Sequence, residues 1–391
     1  MKKIGKIIGC FFVFILLTIL LIYLSGNGYI FNTINKTLLK GYKTSNIDDH
    51  SDFNSNFIYS GSPQYWEKHP LYGQIQLTDT LRKELEDFQT IGFAIIKDNK
   101  LLYEEYWAGY SDSSLTNSFS MAKSVTTLLL GKAIGLGYIK SLDQRITDFI
   151  PEFSNDSLGR LCTVGDLSAM TSGFDWSEEY YTPFNPTTKA YYGKDIEKQM
   201  LERHFIEAPG GKFRYSSADT QLLAIVIKRA TGKSLAEFLS QEFWQPMGME
   251  HDALWSTSGD IEKSFCCIHA NVRDFAKLGQ LLLQKGNWNE VQLVDSAFIE
   301  RMVTPNYKAF NSDEPKKYGY SIWIDEEHTP SFYGMMGHLG QRVIVIPEKN
   351  IVIVRLGKIK DARPLNRGHP DTDTYYFVDE TMKIAEKIKN Y

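Results

Sequence analysis

Little cysteine and no surplus of positive charge mark this 391-residue sequence, which carries 43 Lys and Arg against 47 Asp and Glu. A formal net charge of -4 argues against a nucleic-acid partner, since such binding usually needs a basic face. Four cysteines cannot build a disulfide framework, and none form a C-x-x-C pair. Cys162, Cys266 and Cys267 lie beyond the N-terminal apolar run. Their odd number cannot be fully paired, and neighbouring cysteines rarely bond to each other, so the expectation is buried thiols acting as small apolar groups. His50, His69, His204, His251, His269, His328 and His369 show no H-E-x-x-H or comparable spacing, which predicts no metal site. The sequence also lacks a phosphate loop, a dinucleotide fingerprint and internal repeats, and no cofactor is implied.

What is present is the composition of an ordinary globular protein: 43% hydrophobic and 13% aromatic residues. The length suits an enzyme with one substantial core. The start differs. Lys2, Lys3 and Lys6 precede an almost unbroken apolar run of 18 residues from Ile7 to Leu24, followed by Ser25-Gly26. As a helix it would span about 27 Å, close to the thickness of a bilayer's hydrocarbon. Residues 1–25 therefore read as a single-pass anchor, with the lysines favouring a cytoplasmic N-terminus and everything after Leu24 on the outer face. A cleaved signal peptide, which would make the protein secreted, is the rival, but no A-x-A-like site follows. Cys10 precedes the bulk of the apolar run rather than following it, which speaks against lipidation.

Residues 26–75, rich in Asn, Ser, Asp and Gly, read as a tether and lead-in segment, and residues 76–391 as one catalytic body. Ile91 to Lys97 and Leu101 to Tyr106 form a predicted hairpin around Asp98-Asn99-Lys100. Helical spacing then runs from Met121 to Gly135, with Met121, Val125, Leu128, Leu129 and Lys132 on an inward stripe, and returns at 221–230, 235–243 and 272–284. Strands are predicted again at 319–325, 341–346 and 351–356, with an amphipathic helix at 376–388. The expected class is α+β: an antiparallel sheet built from both chain ends with flanking helices, and an inserted, mainly helical lobe at about 140–310.

Three short segments carry chemistry. Ser120-Met121-Ala122-Lys123 opens the first helix, and residues three apart share a helix face, so the lysine amine can reach the serine hydroxyl. A serine needs a base beside it, and a lysine serves when burial lowers its pKa. The helix N-terminus favours a developing oxyanion. Tyr215, in Pro209 to Ser217, is placed to relay a proton. Gly337-His338-Leu339-Gly340 precedes a strand taken as an edge; its glycines allow close backbone approach, and the Gln341 amide offers a second oxyanion donor. Trp176, Tyr180 and Tyr181, with Tyr191 and Tyr192, are candidates for an apolar acyl pocket or for aromatic loop contacts.

Ser120-x-x-Lys123, Tyr215-x-Ser217 and His338-x-Gly340, in this order, resemble the three motifs of the serine β-lactamase and penicillin-recognising superfamily, especially its class C and esterase branch. The likeness includes Leu142-Asp143, Phe149 to Glu152, Thr163 to Gly173 and Val272 to Gly279, and covers roughly residues 80–390. It implies a two-lobed β-lactamase-like body in which Ser120 is acylated, Lys123 activates it, Tyr215 relays the proton, and the amides of Ser120 and Gln341 form the oxyanion hole. Ser217, where β-lactamases usually carry Asn, and His338, where they carry Lys, would contact substrate. A histidine is mostly neutral near pH 7, which weakens the case for carboxylate-bearing β-lactam or D-alanyl substrates. Both departures resemble the branch of esterases and of amidases that cleave 6-aminohexanoate oligomers.

The expected function is thus a membrane-anchored serine hydrolase on the periplasmic side or surface of a bacterial cell, acting on a small-molecule or peptide-like ester or amide. The alternatives are a penicillin-binding protein, D-alanyl-D-alanine peptidase or β-lactamase, and a non-catalytic binding domain. Oligomeric state is not legible.

Overall fold

A computed structural model of the chain describes residues 2–306, 317–359 and 371–388. The expected lobe boundary near 310, His369, and the ends of the catalytic body and of the family likeness at 391 and 390 lie outside the described residues.

The larger sheet has six antiparallel strands in the spatial order Trp323–Asp325, Phe332–Gly337, Gln341–Ile346, Ile351–Gly357, Thr90–Lys97 and Lys100–Tyr106. It draws on both chain ends. Its central strands are near-continuous apolar runs because both faces are covered. Phe93, Ile95, Ile344, Ile346 and Ile353 face the helices Asp79–Asp87 and Thr372–Ile388. Ala94, Ile96, Val343, Val352 and Val354 face the opposite core, which includes the helices Met121–Gly135 and Val272–Leu283. The Met121–Gly135 helix is buried nearly all round rather than along one stripe, and Lys132, at its part-exposed end, pairs with Glu242 at 3.2 Å.

Three strand expectations need correction. Phe332–Gly337 is a strand although its Gly334, Met335 and Met336 show no alternation; it is buried on both faces. Gly334 lies so close to its neighbour that a Cβ would meet the Val343 carbonyl at 2.3 Å. As a result Gln341–Ile346 is an interior strand, and the edge is Trp323–Asp325, shorter than the predicted 319–325. The middle of the chain also contains a second antiparallel sheet, ordered Ser55–Ile58, Ala253–Ser258, Ile268–Ala270 and Thr116–Asn117, with Ile261–Glu262 paired to Ala253–Ser258.

That sheet shows that residues 26–75 do more than tether. Ser55–Ile58 is an integral strand, Ile47 and Ile58 are core residues, and the helix Tyr29–Lys36 lies on the helix Pro186–Tyr192. Polar composition predicts a loop, but long-range partners decide here. The buried Asp49 carboxylate accepts from Asn117 Nδ2 at 2.8 Å and from the Tyr191 hydroxyl at 2.6 Å. Tyr191 and Tyr192 are accordingly core residues, not pocket walls.

Cys266 and Cys267 are joined by a disulfide, contrary to the expectation of separate thiols, while Cys162 is free and buried. The backbone reverses there, with Cys267 at φ +73°, and Trp255 Nε1 donates to the Cys266 carbonyl at 3.0 Å. Residue spacing alone cannot reveal such a turn.

Gly279 marks the closest approach of helix and sheet: a Cβ there would lie 2.6 Å from methyl carbons of Val343 and Val352. Gly279→Leu is expected to lower stability by about 1–3 kcal/mol through overpacking, read as a lower urea midpoint with unchanged slope.

Candidate active site

Ser120 stands at the N-cap of the Met121–Gly135 helix. The turn that presents it is strained, because Phe119 adopts φ +44°, a region L-residues avoid. Neighbouring bonds hold it there. The Phe119 amide donates to Asn117 Oδ1 at 2.8 Å, and Asn117 is itself fixed by Asp49. The Ser118 amide donates to the Ile268 carbonyl at 2.7 Å, and the Ser118 hydroxyl accepts from the Ile268 amide at 3.1 Å. The lead-in segment and the smaller sheet thus set the backbone at Ser120.

Lys123 follows three residues later on the same face, and its ammonium is sealed from water. It donates to Ser120 Oγ at 3.0 Å, Ser217 Oγ at 3.2 Å and the Phe265 carbonyl at 2.9 Å. Burial pushes its pKa down to about 8, while the charge of Glu178 pulls the other way. Tyr215 comes from the turn before the helix Ser217–Thr231; its hydroxyl is hydrogen-bonded to Ser120, and the Lys123 amine lies 5.0 Å from its ring centre. Burial raises the Tyr215 pKa above its usual value. The ring stacks on Trp323, centroids 5.6 Å apart, which ties the second motif to the sheet edge.

The third motif meets the first through Gly337, where a Cβ would lie 2.3 Å from the Ser118 carbonyl. The turn His338–Gly340 runs through two positive-φ residues, Leu339 at +58° and Gly340 at +86°. Two buried arginines on adjacent strands brace it. Arg342 donates to the Gly337 and Gln341 carbonyls at 3.0 Å each, and Arg355 to those of Leu339 at 3.1 Å and Gly340 at 2.9 Å. The Gln341 side chain serves as a brace as well, donating to the Gly357 carbonyl at 2.7 Å and accepting from the Gly357 amide at 3.1 Å. The His338 ring faces Phe119, Tyr180 and Tyr181 at 5.4, 5.3 and 6.0 Å.

These groups surround a cavity of about 190 Å³ whose lining includes Ser120, Tyr180, Tyr215, Trp323 and His338. Of the aromatic candidates, Tyr180 lines it, Tyr181 stands largely exposed at the His338 ring, and Trp176 is buried behind the wall. Trp176 instead holds a residue that motif reading missed. Its indole donates to Glu178 at 2.9 Å, and the same carboxylate accepts from the Tyr180 hydroxyl at 2.7 Å, the Ser217 hydroxyl at 2.6 Å and the Ser217 amide at 2.8 Å. Ser217 therefore connects Lys123 to a carboxylate. One acidic residue in an aromatic loop has no periodicity to betray it; the only available sign was its place among Trp176, Tyr180 and Tyr181.

A hydroxyl and an amine from one helix start meet a phenol from a distant turn beside one cavity, and residues 77–369 match the Beta-lactamase family profile. The chain belongs to the Beta-lactamase family. This family comprises serine hydrolases acting on amide and ester bonds. The chain is 24% identical over 302 residues to a 6-aminohexanoate-dimer hydrolase of Paenarthrobacter ureafaciens, covering 72% of this chain and 76% of that protein. It is 24% identical over 346 residues to a provisionally named D-alanyl-D-alanine carboxypeptidase of Escherichia coli K12, covering 69% and 78%. The fold matches that of a provisionally named 6-aminohexanoate-dimer hydrolase from Bacillus anthracis, with a TM-score of 0.71, 24% identity and coverage of 86% and 92%.

Activation of a β-lactamase-family serine by a lysine needs the neutral amine. Acylation of Ser120 is therefore expected to rise as pH climbs through about 8 and to fall below it. Glu178→Gln removes a charge that raises the Lys123 pKa, so this limb should move to lower pH. Second-order labelling rates with a fluorophosphonate probe across pH 5–10 measure both; a limb that stays put would show that Glu178 does not set the lysine's charge.

Proposed function

We propose that this chain is a membrane-anchored serine hydrolase that cleaves an ester or amide through an acyl-enzyme on Ser120. The observation that carries the reading is the 3.0 Å contact between Lys123 Nζ and Ser120 Oγ, with the Tyr215 hydroxyl bonded to the same serine. Neutral Lys123 takes the Ser120 proton as Oγ attacks the carbonyl carbon. The negative charge collects on the carbonyl oxygen, toward the Ser120 backbone amide at the helix start; Gln341, expected to supply a second donor, is buried on an interior strand and does not line the cavity. The C–O or C–N bond of the substrate then breaks, and Tyr215 gives its proton to the departing alcohol or amine, recovering one from Lys123. Water, deprotonated by the same pair, attacks the acyl-enzyme, and the acid leaves with Ser120 restored.

Substrate preference follows from the walls. Glu178, Asp371 and Arg342 all line the cavity, and the Arg342 guanidinium is committed to Asp371 at 2.7 Å and Asp373 at 3.0 Å. With His338 in place of a permanent cation, a substrate carboxylate would meet two carboxylates. Neutral esters and amides fit better than β-lactams or D-alanyl peptides. The 6-aminohexanoate-dimer hydrolase relative supports cleavage of an amide bond, and no more, since its named substrate itself ends in a carboxylate.

The helical span Lys3–Leu24 is long and apolar enough to cross a membrane, with an 18-residue stretch of mean hydropathy 3.0 that is not buried in the body. As an anchor with its lysines in the cytoplasm, it places the catalytic body, including the part of residues 140–310 read as the helical lobe, outside the membrane.

Ser120→Ala is expected to abolish labelling by a fluorophosphonate and to cut hydrolysis of p-nitrophenyl esters by about three orders of magnitude or more. Equal labelling of the wild type and the variant would remove Ser120 from the reaction. In a panel of p-nitrophenyl esters, small amides and a chromogenic cephalosporin, turnover should favour the esters and amides; faster turnover of the cephalosporin would reassign the substrate class.

A further inference from the structure

The loop beside the cavity and the lead-in segment bonded to it carry large apolar side chains that the body leaves uncovered. Leu38, Leu39 and Tyr42 project from the lead-in segment and Tyr181 and Phe184 from the loop beside the cavity, with Leu39 74% and Phe184 70% exposed. Soluble surfaces carry such residues singly; a cluster marks a contact. The two stretches are fastened to each other. The Tyr29 hydroxyl donates to the Pro183 carbonyl at 2.9 Å, Asn32 Nδ2 to the Tyr192 carbonyl at 3.3 Å, and the Thr44 hydroxyl to the Tyr180 carbonyl at 3.4 Å. Tyr180 and Tyr181 in turn stand at His338 over the cavity.

The chain leaves this assembly little freedom. Four residues, 25–28, separate the end of the apolar helix at Leu24 from Tyr29, and the Tyr23 ring already stacks on Phe31 at 5.5 Å. Even fully extended, such a connection spans roughly 18 Å. Headgroup layers extend several ångströms beyond the hydrocarbon, and tyrosines favour that zone. The anchor therefore holds the lead-in helix, and the loop bonded to it, at the membrane surface.

We propose that the exposed side chains Leu38, Leu39 and Tyr42 of the lead-in segment and Tyr181 and Phe184 of the loop bonded to it rest on the outer leaflet, so that Ser120 draws its substrate from the lipid–water interface. The substrate class is then an amphiphilic ester or amide whose reactive carbonyl reaches the cavity while its hydrocarbon chain stays in the bilayer. This inference rests on the anchor and on the Ser120 assignment made above.

The test uses the full chain in vesicles of phosphatidylcholine and phosphatidylglycerol, with nitroxide labels on Leu39→Cys, Phe184→Cys or Lys349→Cys in a Cys10→Ser background. Lys349 lies in the turn at the end of the Gln341–Ile346 strand remote from His338. Collision with oxygen against a water-soluble nickel chelate is expected to place the labels at 39 and 184 among the headgroups and the label at 349 in water. Leu39→Asp with Phe184→Asp should leave hydrolysis of soluble p-nitrophenyl acetate unchanged, yet lower hydrolysis of vesicle-borne p-nitrophenyl palmitate about tenfold. Labels at 39 and 184 in water, on protein that stays with the vesicles, would overturn the inference while leaving the anchor intact. Spin–spin broadening between copies would overturn it by assigning the patch to a second copy of the chain. Intact mass showing loss of the first 25 or so residues would overturn it through the anchor, and labelling of Ser120→Ala through the site.

Discussion

An amine sealed inside protein, with all three of its hydrogen bonds directed at neutral oxygens, is the constraint from which the rest of this site follows. A buried ammonium is costly unless its partners are fixed in place, and that cost is what brings Lys123 down to about 8. Each acceptor comes from a different part of the chain. Ser120 is presented by a helix start, Ser217 by the start of another helix, and the Phe265 carbonyl by the turn that ends in the Cys266–Cys267 bond. Glu178 sits one hydroxyl further out, close enough to influence the amine without pairing directly with it. A carboxylate in direct contact would hold the proton on the lysine; one relayed through Ser217 moderates it.

The same logic extends to the third motif. Its turn exposes carbonyls toward the interior, and two fully buried arginines satisfy them. Arg342 is balanced by Asp371 and Asp373, whereas Arg355 relies on carbonyls and the Thr90 hydroxyl, and burial lowers its pKa to about 9. The sheet is therefore more than a platform. It carries the charges that hold a strained loop beside Ser120, while Asp49 and Asn117 hold the opposite side from the lead-in segment.

Much of this was readable from residue order. Ser120 and Lys123 fall on one helix face because a helix puts residues three apart together, and the hairpin at Asp98-Asn99 declares itself through residues that accept positive φ. The sheet from both ends followed from alternating and continuous apolar runs such as Val343 to Ile346. The failures have physical causes too. Phe332–Gly337 carries glycines because neighbouring backbone crowds it, and this erased the strand pattern. Residues 26–75 looked like a linker because their order comes from distant partners such as Asn117 and Tyr191. Glu178 and the Cys266–Cys267 bond depend on backbone turns that no spacing rule encodes, and Trp176 proved to be a support for Glu178 rather than a wall.

Lys123 is a buried amine placed to shed its proton near pH 8. The most direct test of this is a nuclear magnetic resonance titration of the protein labelled with carbon-13 at lysine Cε, with the Lys123 signal identified by its loss in Lys123→Met. A midpoint near pH 8 is expected for the signal so identified. A Lys123 signal that titrates at the ordinary lysine value of 10.5 would contradict it.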